Sequence, residues 1–351
     1  MEKLCRDDDW IEDESSLTTL SLLCQGNFSY VCLKEDSKSR LCAKKASPMH
    51  HKKILEKELR IMHRFRDHPR IVQASNKLHL HIKSNRPSEC FINNRPSECF
   101  IYMEYASKGN LNKFIYGFRR KEEKIPETLV SRTARMILEG LEALHSHGYV
   151  HCNLKPSNVL LFPSKTPGEP WDLKLADFGS SKEPNTDYDS KYLGTAKYMP
   201  EESFRPNGLI IDPGLDIYAL GCVVYEMLGA IPIEEYFEEF YEWHLRRVIS
   251  PEARDFLWLC QDIHSRRPTA AELLKHPFIT QELLPSPTTE DNKEISRSLI
   301  PGETKGKAAF ARVSAAYIAK TRNEIKTEMG KGNTQFSDIM KSPSKCNDAI
   351  S

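Results

Sequence analysis

No apolar stretch of this sequence approaches the ~18–20 residues that a membrane-crossing helix requires. The first residues, Met1 to Asp9, lack the apolar core of a secretory signal, so export is not expected. There are ten cysteines, but no Cys-x-x-Cys pair and no Cys/His cluster with zinc-ligand spacing. They are expected to be thiols in a reducing compartment: the cytoplasm, with the nucleus also open. An excess of one charge is missing as well. Fifty Lys and Arg face 49 Asp and Glu, for a net charge of +1. That balance argues against a dedicated nucleic-acid binder, and neither nucleic acid nor membrane is expected as a partner. Periodic architecture is absent too. The octapeptide Asn85–Ile92 recurs verbatim as Asn94–Ile101, but two copies do not make a solenoid. The plain reading is a lengthened surface loop, which costs little closure entropy. The sharper one is that the first Glu-Cys-Phe-Ile competes with the second for one strand slot.

What remains is an ordinary globular composition, 39% apolar and 28% charged, over 351 residues, enough for two or three domains. Residues 1–16 form an acidic arm, expected to be solvated. Strands are expected at Thr18–Leu23, Tyr30–Lys34, Arg40–Lys45, Lys77–Ile82 and Cys99–Tyr105. His51–Phe65 has a helical stripe of Ile54, Leu55, Leu59, Ile61 and Met62. Beyond Gly109 the pattern turns helical: Pro126–His147, stopped by Gly148; a buried helix over Ile217–Met227; and helices near 250–260 and 269–275, ending at Pro277. Residues 281–351 are polar and expected to be largely disordered, with a weak helical pattern over Lys307–Met329.

The chemistry-bearing residues fall in a fixed order. Leu23-Cys24-Gln25-Gly26 joins two strands. Cys42-Ala43-Lys44-Lys45 ends a third, and a helix then presents Glu58. Next come His151-Cys152-Asn153-Leu154-Lys155-Pro156-Ser157-Asn158 and Asp177-Phe178-Gly179. Asn158 and Asp177 offer the hard oxygen donors that Mg²⁺ requires. Gly194-Thr195, Pro200-Glu201-Glu202, Asp216-Ile217-Tyr218 and Arg267-Pro268 follow. Over residues 17–280 this order resembles a eukaryotic protein kinase domain of the Ser/Thr type. Met103-Glu104-Tyr105-Ala106-Ser107-Lys108-Gly109-Asn110-Leu111 is similar to the MAP kinase kinase kinase-like kinases of plants.

The resemblance implies a two-lobed α+β fold, with a small sheet lobe over 17–105 and a helical lobe over 107–280, binding ATP and Mg²⁺ and acting on a protein substrate or signalling partner. It implies that Leu23, Gly26, Val31, Ala43 and Leu160 enclose the nucleotide, with Met103 as gatekeeper and the backbones of Glu104 and Ala106 on the adenine edge. Lys45 would hold the phosphates, positioned by Glu58. Lys44 is the alternative, but period two puts Ala43 and Lys45 on one face. Asn158 and Asp177 would hold the metal, and Lys155 would neutralise charge on the transferring phosphate. His151, Phe178, Glu202, Asp216 and Arg267 would be architectural, Glu202 and Arg267 as a buried ion pair.

Four residues of the catalytic and glycine loops depart from that pattern. Asn153 stands where the family has an aspartate base, and a neutral amide cannot take up a proton at pH 7. Losing a general base typically costs about 10²–10⁴-fold in rate. Cys152 replaces an arginine that would pair with a phosphate on the activation segment, where Thr186, Tyr188, Ser190 and Tyr192 lie. Cys24 and Ser29 replace two glycines of the phosphate loop. Three readings follow: a nucleotide-binding pseudokinase or strongly impaired kinase, a slow working Ser/Thr kinase, and a nucleotide-free scaffold.

Overall fold

The computed structural model describes residues 17–280 apart from 27–28, 83–96, 166–168, 187–193, 205–210, 235–240 and 245–246. The acidic arm, the first copy of the repeat, Tyr188, Ser190, Tyr192 and the 281–351 tail therefore lie outside the described residues. The protein is α+β, with a small sheet lobe followed by a mainly helical lobe, as the sequence leads one to expect.

The small lobe is a five-stranded antiparallel sheet in the order β1-β2-β3-β5-β4. Its strands are β1 (Thr18–Gln25), β2 (Tyr30–Glu35), β3 (Leu41–Pro48), β4 (His79–His81) and β5 (Glu98–Glu104). Helix α1 (Lys52–Arg64) packs against one face. Register sets which side chains share a face. Val31 lies opposite Lys45, Lys45 opposite Ile101, and Ala43 opposite Met103, so these point inward together. Tyr30, Lys44, Ala46, Phe100 and Tyr102 point outward. β5 is buried along its whole length, and the second repeat copy supplies its first four residues. β4 is three residues, shorter than the apolar pattern over Lys77–Ile82 implies; Leu80 and Ile82 are exposed at this sheet edge. In α1 the apolar stripe is also narrower than expected. Ile54 is exposed, while charged Glu58 is buried on the inward face.

Large-lobe helices α2 (Leu111–Arg120), α3 (Glu127–Ser146), α4 (Pro213–Met227) and α5 (Pro251–Gln261) carry the second part of the core. Asn110 caps α2, its side chain accepting from the Lys113 N–H. α3 buries Val130, Ala134, Ile137, Leu138, Leu141 and Leu144. α4 starts four residues before the expected Ile217. Asp212 caps it through the Gly214 N–H, and Pro213 sits in its first turn, where a missing N–H costs nothing. It is buried nearly all round, as its uniformly apolar sequence requires. Two short turns, α6 (Ala270–Leu273) and α7 (Pro277–Thr280), close the lobe. Pro277 begins a turn rather than ending the helical region, because proline is compatible with a first helical position. Between α2–α3 and α4 runs the loop-rich stretch, stiffened by the hairpin β6 (Val159–Phe162) and β7 (Asp172–Leu175). A second hairpin, β8 (Ile231–Glu234) with β9 (Tyr241–His244), follows α4.

Candidate active site

The site forms where the inward face of the small sheet meets the β6–β7 hairpin. Alternation on β3 aims Lys45 into the cleft and Lys44 away from it. Lys45 Nζ donates to Glu58 at 2.6 and 2.9 Å and to Asp177 Oδ1 at 2.8 Å. Lys44 instead pairs with Glu98 on the opposite face at 2.9 Å. Burial opposes the charge on Lys45, but Asp177 and Glu58 outweigh it and raise its pKa. Burial also works against ionised Asp177, yet Lys45 and Lys155 hold its carboxyl down to about 2. Burial pushes Glu58 upward, with Lys45 opposing. Lys45 is thus shared between Glu58 and the ionised Asp177.

Asp177 begins a tight turn with φ of 69°, a left-handed conformation that non-glycine residues rarely adopt. The turn sends Phe178 into the core against the His151 ring, at a 5.2 Å centroid separation. His151 is buried and neutral, burial holding its pKa down. Its Nε2–H donates to the Ala176 carbonyl at 3.1 Å, and its Nδ1 accepts from the Asn153 N–H at 3.2 Å. Asp216, fully buried in α4, accepts the N–H groups of His151 and Cys152 at 2.7 and 2.9 Å, and His145 Nε2–H at 2.9 Å. Those bonds hold the catalytic-position loop from below.

Within that loop Asn153 Nδ2 donates to Asp177 Oδ2 at 2.9 Å. Asn158 Nδ2 donates to the Asn153 carbonyl at 2.8 Å and, more weakly, to Asp177 Oδ2 at 3.3 Å. The amide nitrogen of Asn158 is thereby committed, so its carbonyl oxygen faces the other way. Asp177 and Asn158 are thus brought together, and as oriented it is the amide nitrogen of Asn158 that faces the carboxylate, so a shared magnesium ion would need that amide turned over. Lys155 Nζ donates to Thr195 Oγ1 at 2.9 Å. Gly194, beside it, allows the close approach of two segments: a Cβ there would lie 2.6 Å from the Cys152 carbonyl oxygen. Cys152 itself has φ of 60° and is turned inward, its thiol donating to the Val150 carbonyl. Burial and nearby Asp216 push that thiol up, so it is not a reactive thiolate.

At the back of the cleft, the Glu104 N–H donates to the Gln73 carbonyl. Its side chain is clamped by Lys174 at 2.6 and 2.9 Å and by the Gln73 N–H at 2.8 Å. Neither Lys174 nor Gln73 stands out in the sequence; the periodicity of β7 places Lys174, but nothing local names its partner. Met103 and Ala43 are buried side by side, Val31 and Leu160 are partly buried, and Leu23 is exposed on β1. Gly26 closes the β1–β2 turn through its N–H to the Ser29 carbonyl. Ala106 is buried just beyond β5. Distant from the cleft, Arg267 pairs with Glu202 at 2.5 Å; the Arg267 side chain is buried and that of Glu202 partly so. The segment after Asp177 is tied to α1 by two contacts. Arg60 reaches Glu183 at 2.8 Å, and Lys57 donates to the Ser181 carbonyl at 2.9 Å.

Residues 17–279 match the family model of the protein kinase domain. Mitogen-activated protein kinase kinase kinase 17 of Arabidopsis thaliana is 31% identical over 58% of this chain and 53% of its own length. Mitogen-activated protein kinase kinase kinase 2 of the same plant is 31% identical over 68% of the chain and 35% of its own. Serine/threonine-protein kinase 17A of Oryctolagus cuniculus is 30% identical over 65% and 59%. The chain thus spans between about a third and three fifths of these relatives' lengths.

Proposed function

The chain belongs to the protein kinase domain family, and from that premise we propose that it is an ATP- and Mg²⁺-binding pseudokinase, or a strongly impaired Ser/Thr kinase, engaging a protein partner in signalling. The observation that carries this reading is the bond from Asn153 Nδ2 to Asp177 Oδ2 at 2.9 Å. The side chain at the base position is a donor turned toward the metal-site carboxylate, not an acceptor for a substrate proton. It costs the reaction a general base, about 10²–10⁴-fold, or roughly 3–5 kcal/mol of barrier. The phosphate-handling parts support retained binding. Lys45 and Glu58 would hold the α- and β-phosphates, Asn158 and Asp177 the metal, and the Glu104 carbonyl with the Ala106 N–H the adenine edge. Bound Mg²⁺ would neutralise charge on the phosphates.

A slow working kinase is the second reading. Phosphoryl transfer depends mostly on positioning and electrostatics, and the contact of Lys155 with Thr195 at 2.9 Å favours it. Two measurements separate the readings. A rise in melting temperature with millimolar ATP and Mg²⁺ is expected, by mass action. No shift would favour a nucleotide-free scaffold. Radiolabelled phosphotransfer is expected to be at least about 10²-fold slower than in Asn153→Asp. A rate within about tenfold of that variant would sink the pseudokinase reading.

A further inference from the structure

The small sheet has a second buried face. On the side away from α1, Cys42, Ala46, Phe100 and Tyr102 are each at most 1% exposed, and Lys44 is 3% exposed. The apolar cluster they form contains, among the described residues, only sheet side chains and Leu17. No described helix or strand layers over it. Polar groups go down with it. Lys44 lies 3.7 Å above the Phe100 ring and pairs with Glu98, which also accepts from Tyr30 Oη at 2.5 Å. Lys34, two residues along β2 from Cys32, brings a further positive charge to the face at 6% exposure. The edge strand behaves differently. Every residue of β1 is exposed, including Leu22 at 55%, yet Leu17 immediately before it is buried. The burial is thus confined to β2, β3 and β5, and the chain enters the buried face at Leu17.

We propose that the acidic arm, residues 1–16, docks on this outer face and forms its cover. Three observations select that occupant. The arm ends at Ser16, joined to a residue already seated in the cluster. Sixteen residues extended reach about 50 Å, more than the roughly 20 Å across five strands. The arm is acidic, with Glu2, Asp7, Asp8, Asp9, Glu12, Asp13 and Glu14 against Lys3 and Arg6, and the face carries Lys34 and Lys44 against Glu98. Between the two acidic runs sit Trp10 and Ile11, the apolar pair that would meet Phe100 and Tyr102. This docking is independent of whether the cleft transfers phosphate.

Cys42, buried at the centre of the face, reports on the cover. Native alkylation of the full chain with a maleimide, read per cysteine by peptide mass spectrometry, should modify exposed Cys24 and leave Cys42 at least about tenfold slower. Neutralising the seven acids to Asn and Gln together with Trp10→Ala should raise the Cys42 rate at least about tenfold, with buried Cys222 and Cys260 still protected. If that variant unfolds, which labelling of Cys222 and Cys260 would reveal, the unmodified chain gives the same answer. Molar salt, which screens an exposed ionic contact, should then speed Cys42 selectively. Unchanged Cys42 protection in the folded arm variant, or a salt-insensitive rate, would overturn the proposal. So would Cys42 exposure on deleting residues 85–93 or 281–351 with the arm intact, since it would assign the cover to those segments.

Discussion

Single residues decide what this cleft can do, and Asp216 illustrates how. It is fully buried, and its carboxylate accepts two backbone N–H groups of the loop carrying Cys152 and Asn153, plus His145. Burial alone would raise its pKa, but the His145 hydrogen bond and charge bring it below the ordinary 3.8. A carboxylate depressed in the folded state binds its proton more readily in the unfolded chain. It therefore adds stability above about pH 4, and that contribution is lost as pH falls through the lower, folded value. Asp216→Ala should leave those N–H groups unpaired and cost about 3–5 kcal/mol in a denaturant titration at pH 7. The same variant should also flatten the stability-against-pH curve below pH 4. An equal slope in both proteins would show that Asp216 does not carry this linkage. Asn153→Asp works in the opposite sense. It replaces a donor to Asp177 by a second carboxylate, so the metal-free protein should melt lower. Mg²⁺ with ATP should then raise its melting temperature by more than it raises that of the parent chain.

Among the elements, β5 tests what the tandem repeat means. The second copy supplies Glu98–Ile101, all buried, and then Tyr102, Met103 and Glu104 complete the strand and the back of the cleft. The first copy is followed by Asn93-Asn94-Arg95, so seating it in β5 would bring Asn93 to the buried Tyr102 position and Arg95 to that of Glu104. Burying such groups without partners costs several kcal/mol, so one register should dominate. Phe100→Ala should then cost about 3–5 kcal/mol, and Phe91→Ala within about 0.5 kcal/mol of nothing. Equal costs would mean the copies exchange. Deleting residues 85–93 should leave the sheet intact and add roughly 0.6 kcal/mol by shortening the loop. Element by element, sequence patterns predicted the fold well where side-chain period and burial agree, as in α3 and β5. They read poorly at β4, where an apolar segment lies at an exposed edge, and at the start of α4, where the Asp212 cap outweighs the apolar run. Ile54 is exposed while Glu58, which the resemblance paired with Lys45, is buried, for a tertiary reason: Lys45, on another element, makes burial of Glu58 tolerable. In the cleft, the order of motifs gave each residue its neighbourhood. The donor direction of Asn153 and the Lys174–Glu104 clamp depend on contacts across many residues of sequence, which no local pattern encodes.

At the scale of the whole domain, the lobes are joined at the cleft by charge. Lys45 of the small sheet is shared between Glu58 of its own lobe and Asp177 of the large one. A nucleotide entering there would exchange part of that bridge for phosphate contacts and draw both lobes onto one ligand, which is why binding should stabilise the domain as a unit. Register supplies a local reporter. Cys24 pairs with Val31 across β1 and β2, and Val31 shares the inward face with Lys45, so the exposed Cys24 thiol borders the same cleft. Millimolar ATP with Mg²⁺ should slow alkylation of Cys24 by several-fold, as expected for a ligand near saturation, and leave the rate at Cys42 on the opposite face unchanged. Lys45→Met should abolish that protection, because it removes the cation proposed to hold the phosphates without altering the strand on which it sits. Protection that persists in Lys45→Met would place the nucleotide elsewhere. Protection by ADP and ATP alike, with no dependence on Mg²⁺, would mean that Asp177, already held by Lys45 and Asn153, does not recruit the ion. The domain would then bind nucleotide through adenine and Lys45 alone.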